Sequence, residues 1–193
     1  GVRLCRARES ALKAWVDLSP LGDLTAQALI EGMPAQCSFA AWRGRYLAGL
    51  TALKWRTHPG AKGPTSVAAF RAMPGLESAC ARVAEALGMS GLASVDFVIE
   101  EESGLPWAIE LNPRPTPIVH LGARLGRDLA LALREAIAGR FTSQEPLREA
   151  TIALYPRERM RDPDSEWVGG PDEDVPWDDP TLLARLAEAI SVR

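Results

Sequence analysis

Cysteine is scarce: Cys5, Cys37 and Cys80 are the three in 193 residues. Their odd number and wide spacing argue against a disulfide framework. They fit a reducing cytosol, with small buried thiols as the expected role. No apolar run approaches the ~18 residues of a membrane span. Nothing at the start of the sequence reads as a signal peptide, and no internal repeat is visible. Basic blocks are missing as well. The net charge is −3, but residues 162–179 hold eight acids and no Lys or Arg, so the remainder carries +5. That mild excess suits a phosphate-bearing small molecule and falls short of the basic stripe that nucleic acid requires. The loop HPGAKGP at 58–64 lacks P-loop spacing and a helix start behind it, and His58 reads as incidental. With 47% hydrophobic and 24% charged residues, the chain can fill one or two modest domains with a real core.

What is present centres on residues 94–114, SVDFVIEEESGLPWAIELNPR. Val95, Phe97 and Ile99 alternate with polar or smaller neighbours, and Trp107, Ile109 and Leu111 do so after the turn. Period-two alternation around Ser103-Gly104 predicts a β-hairpin with one apolar face toward a core. The other face collects Asp96, Glu110 and Asn112. Folding about Ser103 sets Asp96 opposite Glu110, with Cβ atoms roughly 4.5–5.5 Å apart. Two ionised carboxylates that close repel, so one takes up a proton or a cation neutralises both. An all-oxygen donor set without His or Cys suits Mg²⁺ or Mn²⁺ better than zinc. The bland alternative is a solvated acidic strand face. Against it stands the run Glu110-Leu111-Asn112-Pro113-Arg114-Pro115, which adds an amide, a cation and a stiff exit. A guanidinium beside a carboxylate pair can bind anionic oxygens next to a metal.

At these residues the sequence resembles the ATP-grasp superfamily. That family's C-terminal signature is an acid or amide in one strand, a turn, then Glu-x-Asn-x-Arg near the end of the next. Asp96, Glu110, Asn112 and Arg114 match it, and the resemblance extends over residues 1–139. It implies an α/β fold of the α+β kind, an antiparallel sheet flanked by helices, lacking the family's N-terminal part. It further implies that Asp96, Glu110 and Asn112 hold two Mg²⁺ (or Mn²⁺) ions on ATP, and that Arg114 acts on the transferring phosphoryl group or the reacting carboxylate. Lys54 and Arg56, two residues apart on one strand face, would reach the phosphates. Gln27 and Ile30, in a strand over 24–30, would meet the adenine edge. Pro34 stands where the family often has a ribose-binding carboxylate, which it cannot replace. The implied activity is ligation: ATP activates a small-molecule carboxylate and an amine or similar nucleophile attacks it. The Lys-bearing strand and phosphate-covering loop of the family precede Gly1, so the expectation is that this stretch alone is inactive and needs that missing portion of the protein. A non-catalytic interaction domain or a nucleotide sensor on the same fold is the alternative reading.

The remaining segments follow from punctuation and periodicity. Residues 10–18 predict a helix carrying Leu12, Trp15 and Val16 on one side, and residues 35–42 with 45–56 predict a hairpin about Arg43-Gly44. A strand over 65–72 and a helix over 77–87, with Ala79, Val83, Ala84 and Leu87 buried and Gly88 as its stop, lead into the acidic hairpin. His120 is expected to be structural. Asp128 caps a helix over 129–138, with Arg134 and Glu135 outward, and residues 151–155 form a last strand. The expected organisation is 1–64 for the remainder of a small subdomain with the adenine hinge, 65–155 for the metal-binding subdomain, and 156–193 for an extended acidic tail. In that tail Asp179 and Pro180 start a helix whose Leu182, Leu183, Leu186 and Ile190 stripe packs on this chain or on a second copy as a homodimer. Neither nucleic acid nor membrane is an expected partner, and the cytoplasm is the expected location.

Overall fold

The computed structural model describes residues 3–60 and 63–191, with side chains to residue 188. Expectations that rested on Gly1, Lys62 and the Ile190 side chain lie outside the described residues. The chain divides into two units, Gly1–Glu31 and Gly32–Arg193. In the first, α1 (Arg8–Leu18) is followed by a short 3-10 turn (Ser19–Leu21). Residues 22–31 are irregular, so the strand expected over 24–30 does not form. Gln27 and Ile30 therefore sit on a segment with no strand pairing.

The second unit is built on one antiparallel sheet of β1 (Gly32–Trp42), β2 (Arg45–Thr57), β3 (Thr65–Phe70), β4 (Gly91–Glu100), β5 (Pro106–Asn112) and β6 (Ala150–Ala153). Their spatial order is β5-β4-β1-β2-β3-β6. The β1–β2 hairpin closes in two residues because Arg43 (φ 50°) and Gly44 (φ 79°) both take positive φ, the backbone twist that a two-residue hairpin needs. β2 pairs with β3 across residues 64 and 65, so the domain boundary expected there runs through a continuous sheet.

Each face of the sheet has its own cover. One face contributes Ala35, Cys37, Phe39, Val95 and Phe97, packed against Leu76, Cys80 and Ala84 of α2 (Pro74–Ala86). Leu87, expected in that stripe, follows the helix and is exposed. The other face contributes Ala40, Leu50, Ala52, Phe70 and Ile152, packed under α3 (Leu121–Arg124) and α4 (Leu129–Ile137) through Leu121, Leu125 and Leu129. Asp128 caps α4 as expected, its Oδ1 accepting from the Leu131 N–H at 2.9 Å. Glu135 is buried rather than outward, held between Arg134 (3.1 Å) and Arg140 (2.5 Å). Cys37 and Cys80 are buried thiols, whereas Cys5 is only half-buried.

Residues 154–179 are not a loose tail. Asp174 N–H bonds to the Ala153 carbonyl at 2.8 Å, and Ala153 N–H to that of Asp172 at 2.9 Å, which docks the segment along β6. α5 (Arg157–Arg161) contributes the fully buried Glu158, gripped by Arg161 at 2.6 and 2.8 Å. Arg159 binds Glu173 with two hydrogen bonds of 2.6 and 2.7 Å. Low apolar content misled the tail expectation, because paired buried charges do the holding here. α6 (Pro180–Ser191) begins as expected, with the Leu182 N–H bonded to Asp179 Oδ1 at 2.9 Å.

Candidate functional site

The site lies on the face that carries α3 and α4, beyond the edge of their cover. Asp96 on β4 is paired with Glu110 on β5, and Ser94 with Asn112. Across β4, Gln36 pairs with Asp96 and Ser38 with Ser94. Directly paired residues share a sheet face, so Gln36, Ser38, Ser94, Asp96, Glu110 and Asn112 form one polar patch three strands wide. Asp96 and Asn112 are half-buried and Glu110 is exposed.

Lys54 joins this patch from β2. Its Nζ reaches across β1 to Asp96 Oδ2 at 3.1 Å, with both side chains about a quarter exposed (24% and 25%). Gln36, although opposite Asp96, spends its amide on other partners: its Nε2 donates to Ser38 Oγ (3.0 Å) and Thr116 Oγ1 (2.8 Å). Ser38 and Thr116 hydroxyls bond each other at 2.7 Å. This closed triangle pins the segment behind Arg114 back onto the sheet. It was not legible in the sequence, since Thr116 is 80 residues from Gln36. The hydroxyl of Ser94 is fully buried and has no hydrogen-bond partner among the described residues. Arg114 is exposed and makes no ion pair among the described residues.

Two bulges redirect side chains that simple alternation assigns elsewhere. In β2, Lys54 pairs with Ala68 but Arg56 pairs with the adjacent Val67. The extra residue, Trp55, turns Arg56 to the opposite face from Lys54. Arg56 instead lies over the rings of Trp55 (5.6 Å) and Trp167 (5.5 Å) and donates to the Trp55 carbonyl. It is not brought to the patch. In β5, Glu110 pairs with Asp96 but Ala108 pairs with Phe97, which leaves Ile109 as the extra residue. Trp107 then pairs with Val98 and shares the face of Asp96 rather than the apolar face. Since β5 is also the sheet edge, Trp107 (46%) and Ile109 (44%) are exposed instead of facing a core. Pro34 pairs with Val98 from the other side. Pro34, Val98 and Trp107 thus form an apolar shelf continuing the polar patch, away from Arg114.

No cluster of three or more His, Cys, Asp or Glu side chains arranged for a metal occurs among the described residues. The chain itself offers two carboxylates and an amide. That number fits Mg²⁺, which keeps several waters and is commonly held by one or two carboxylates plus phosphate oxygens of its ligand. A zinc cage is a poor match.

No protein-family model matches the sequence. No curated protein matches it either. Solved structures do. N5-carboxyaminoimidazole synthetase from Staphylococcus aureus, complexed with ADP, superposes with a TM-score of 0.57 at 13% identity, covering 79% of this chain and 43% of its own. The biotin carboxylase domain of a thermophilic 2-oxoglutarate carboxylase, bound to bicarbonate, gives 0.57 at 17% identity, covering 76% and 37%. N5-carboxyaminoimidazole ribonucleotide synthetase from Thermus thermophilus gives 0.50 at 17%, covering 78% and 43%. The chain has the ATP-grasp fold. Within that fold it spans about two-fifths of the length of the structures it matches. The antiparallel sheet flanked by helices is the ATP-grasp sheet that the resemblance implied. None of the helices among the described residues is long and apolar enough to cross a membrane.

Proposed function

We propose that this ATP-grasp chain binds ATP with Mg²⁺ or Mn²⁺, and that the complete protein, in the cytoplasm, uses it to activate a carboxylate as an acylphosphate for attack by an amine or similar nucleophile. The observation that carries the proposal is the Asp96–Glu110 pair, set face to face with Lys54 bonded to Asp96 and with Asn112 on the same sheet face. A bare pair of carboxylates so close is costly. Lys54 offsets one charge of the pair, and a cation with phosphate ligands suits the rest.

Asp96, Glu110 and Asn112 would hold the ions, two in the complete site. Bound there, magnesium spreads the charge of the phosphate oxygens and polarises them. Lys54 supplies a mobile ammonium within reach of the same oxygens. Arg114 follows Asn112 by two residues, where a planar fork can bind the transferring phosphoryl oxygens or the acceptor carboxylate through paired hydrogen bonds. The Gln36–Ser38–Thr116 triangle fixes the strand exit that carries it. The shelf of Pro34, Val98 and Trp107 suits the flat, apolar face of a base, at the end of the patch away from Arg114. Adenine contacts by Gln27 and Ile30 rest on the sequence resemblance alone. Arg56 is given no part.

The test is Mg-dependent ATP turnover by the complete protein. Replacing Glu110→Gln should abolish it, and unchanged turnover would count decisively against the proposal. A nucleotide-sensing or interaction domain without turnover is the second reading, favoured by Pro34 at the ribose position and by the diversion of Arg56 onto two tryptophans. A sensor keeps Mg-ADP binding without turnover and an interaction domain lacks both, so Mg-ADP calorimetry beside the turnover assay separates these readings.

A further inference from the structure

The ion pair between Lys54 and Asp96 does more than add one cation to the patch. Its partners come from β2 and β4, with β1 between them, so the lysine stem must lie across a whole strand for the head to reach 3.1 Å from the carboxylate. Among the described residues Asp96 has no other ion-pair partner. Gln36 faces Asp96 directly, yet both N–H groups of its amide are committed to Ser38 and Thr116. Arg114 makes no ion pair among the described residues. The ammonium therefore holds one of the two oxygens of Asp96 and places a positive charge beside the other, which repels a free divalent cation.

We propose that Lys54 is an internal counter-ion that keeps Asp96 from taking up a free divalent cation, so that the cation enters only together with a phosphate-bearing ligand. This rests on the nucleotide reading above and adds an order of binding to it. With Lys54 in place, Asp96, Glu110 and Lys54 sum to a single negative charge, a weak attraction for Mg²⁺ alone. A phosphate oxygen gives the ammonium a new partner. Lysine's flexible stem lets the head move to that oxygen while Asp96 passes to the cation, so no charge is left unpaired during the exchange. Free Mg²⁺ then does not fill the site in the absence of nucleotide.

The experiment counts bound Mn²⁺ by electron paramagnetic resonance on the complete protein, without and then with ADP. The wild type should take up little Mn²⁺ alone and bind it readily with ADP. Lys54→Met should bind Mn²⁺ alone roughly tenfold more tightly or better, because a like charge has been removed from contact with the ligand oxygen. It should also lose ADP affinity by roughly tenfold, since an exposed to half-buried cation on phosphate is of that order. Adding Asp96→Asn to Lys54→Met should erase the gained Mn²⁺ binding. If Lys54→Met does not fold, as judged by circular dichroism, Lys54→Gln serves in its place. A wild type that binds Mn²⁺ with ADP, beside a variant whose affinity for Mn²⁺ alone changes less than twofold, overturns the counter-ion role and leaves the nucleotide reading intact. A wild type that binds no Mn²⁺ with ADP overturns both.

Discussion

Removing the Thr116 hydroxyl is the sharpest test of how the site is held. Thr116→Val keeps the shape of the side chain and deletes two hydrogen bonds, those with Gln36 Nε2 at 2.8 Å and Ser38 Oγ at 2.7 Å. The partners cannot turn to water: Ser38 is fully buried and Gln36 is 7% exposed. Each neutral hydrogen bond contributes about 1 kcal/mol net, but orphaning a buried polar group costs about 1–3 kcal/mol. Ser38 retains one bond to Gln36, so its loss is partial. A destabilisation of about 2–3 kcal/mol follows. For a chain of this size that lowers the melting temperature by roughly 5–10 °C. Thr116→Ser, which keeps the hydroxyl, should cost less than half as much. Adding Gln36→Leu to Thr116→Val should cost less than the sum of the single changes, by about 1 kcal/mol, because the amide orphaned by the first change is removed by the second. Thermal and urea unfolding of the wild type, Thr116→Val, Thr116→Ser, Gln36→Leu and the double variant measure these differences. Thr116→Val within 0.5 kcal/mol of wild type, or strict additivity with Gln36→Leu, would refute the triangle.

Two further outcomes concern the segment along β6. Arg161→Ala strands the carboxylate of Glu158, whose side chain has no exposure, and should destabilise by about 3–5 kcal/mol in urea unfolding. A loss under 1 kcal/mol would mean that Glu158 is not held as an ion. His120 bonds Asp174 through Nε2 at 2.8 Å, and that bond raises the imidazole above its ordinary value although burial works against it. The folded state therefore holds this proton more tightly than the unfolded chain. Its stabilisation is complete below the ordinary value of about 6.5 and fades as pH rises through the raised one. His120→Gln should lower the melting temperature at about pH 5.5 and leave it unchanged at about pH 9. An equal loss at both values would contradict the link.

Much of the arrangement was legible in the residues, and the failures have separate causes. The acidic hairpin reads from period-two alternation and a Gly-marked turn. The turn-side register of Phe97 with Ala108 and Ile99 with Pro106, however, would set Asp96 against Ile109, and it is the extra residue Ile109 that brings Glu110 opposite Asp96. Caps at Asp128 and Asp179 read from one side chain each. Alternation cannot see a bulge, because the inserted Trp55 and Ile109 look like any other strand residues. That blindness put Arg56 with Lys54 and Trp107 in a core. Composition likewise missed the docked segment after β6, where Arg159–Glu173 and Arg161–Glu158 pairs do what apolar side chains do elsewhere. The expected strand at 24–30 has suitable residues but no partner strand, and a strand needs a neighbour to satisfy its backbone. Contacts such as Gln36 with Thr116 are set by topology and leave no local trace.

The face bearing Asp96 and Glu110 is proposed to bind a nucleotide through a divalent cation. Isothermal calorimetry of ADP with the complete protein, run with and without Mg²⁺, tests this most directly. Saturable heat that requires Mg²⁺ and disappears in the Asp96→Asn, Glu110→Gln double variant is the expected result. Binding of equal strength in that folded variant, or none in the wild type, would contradict it.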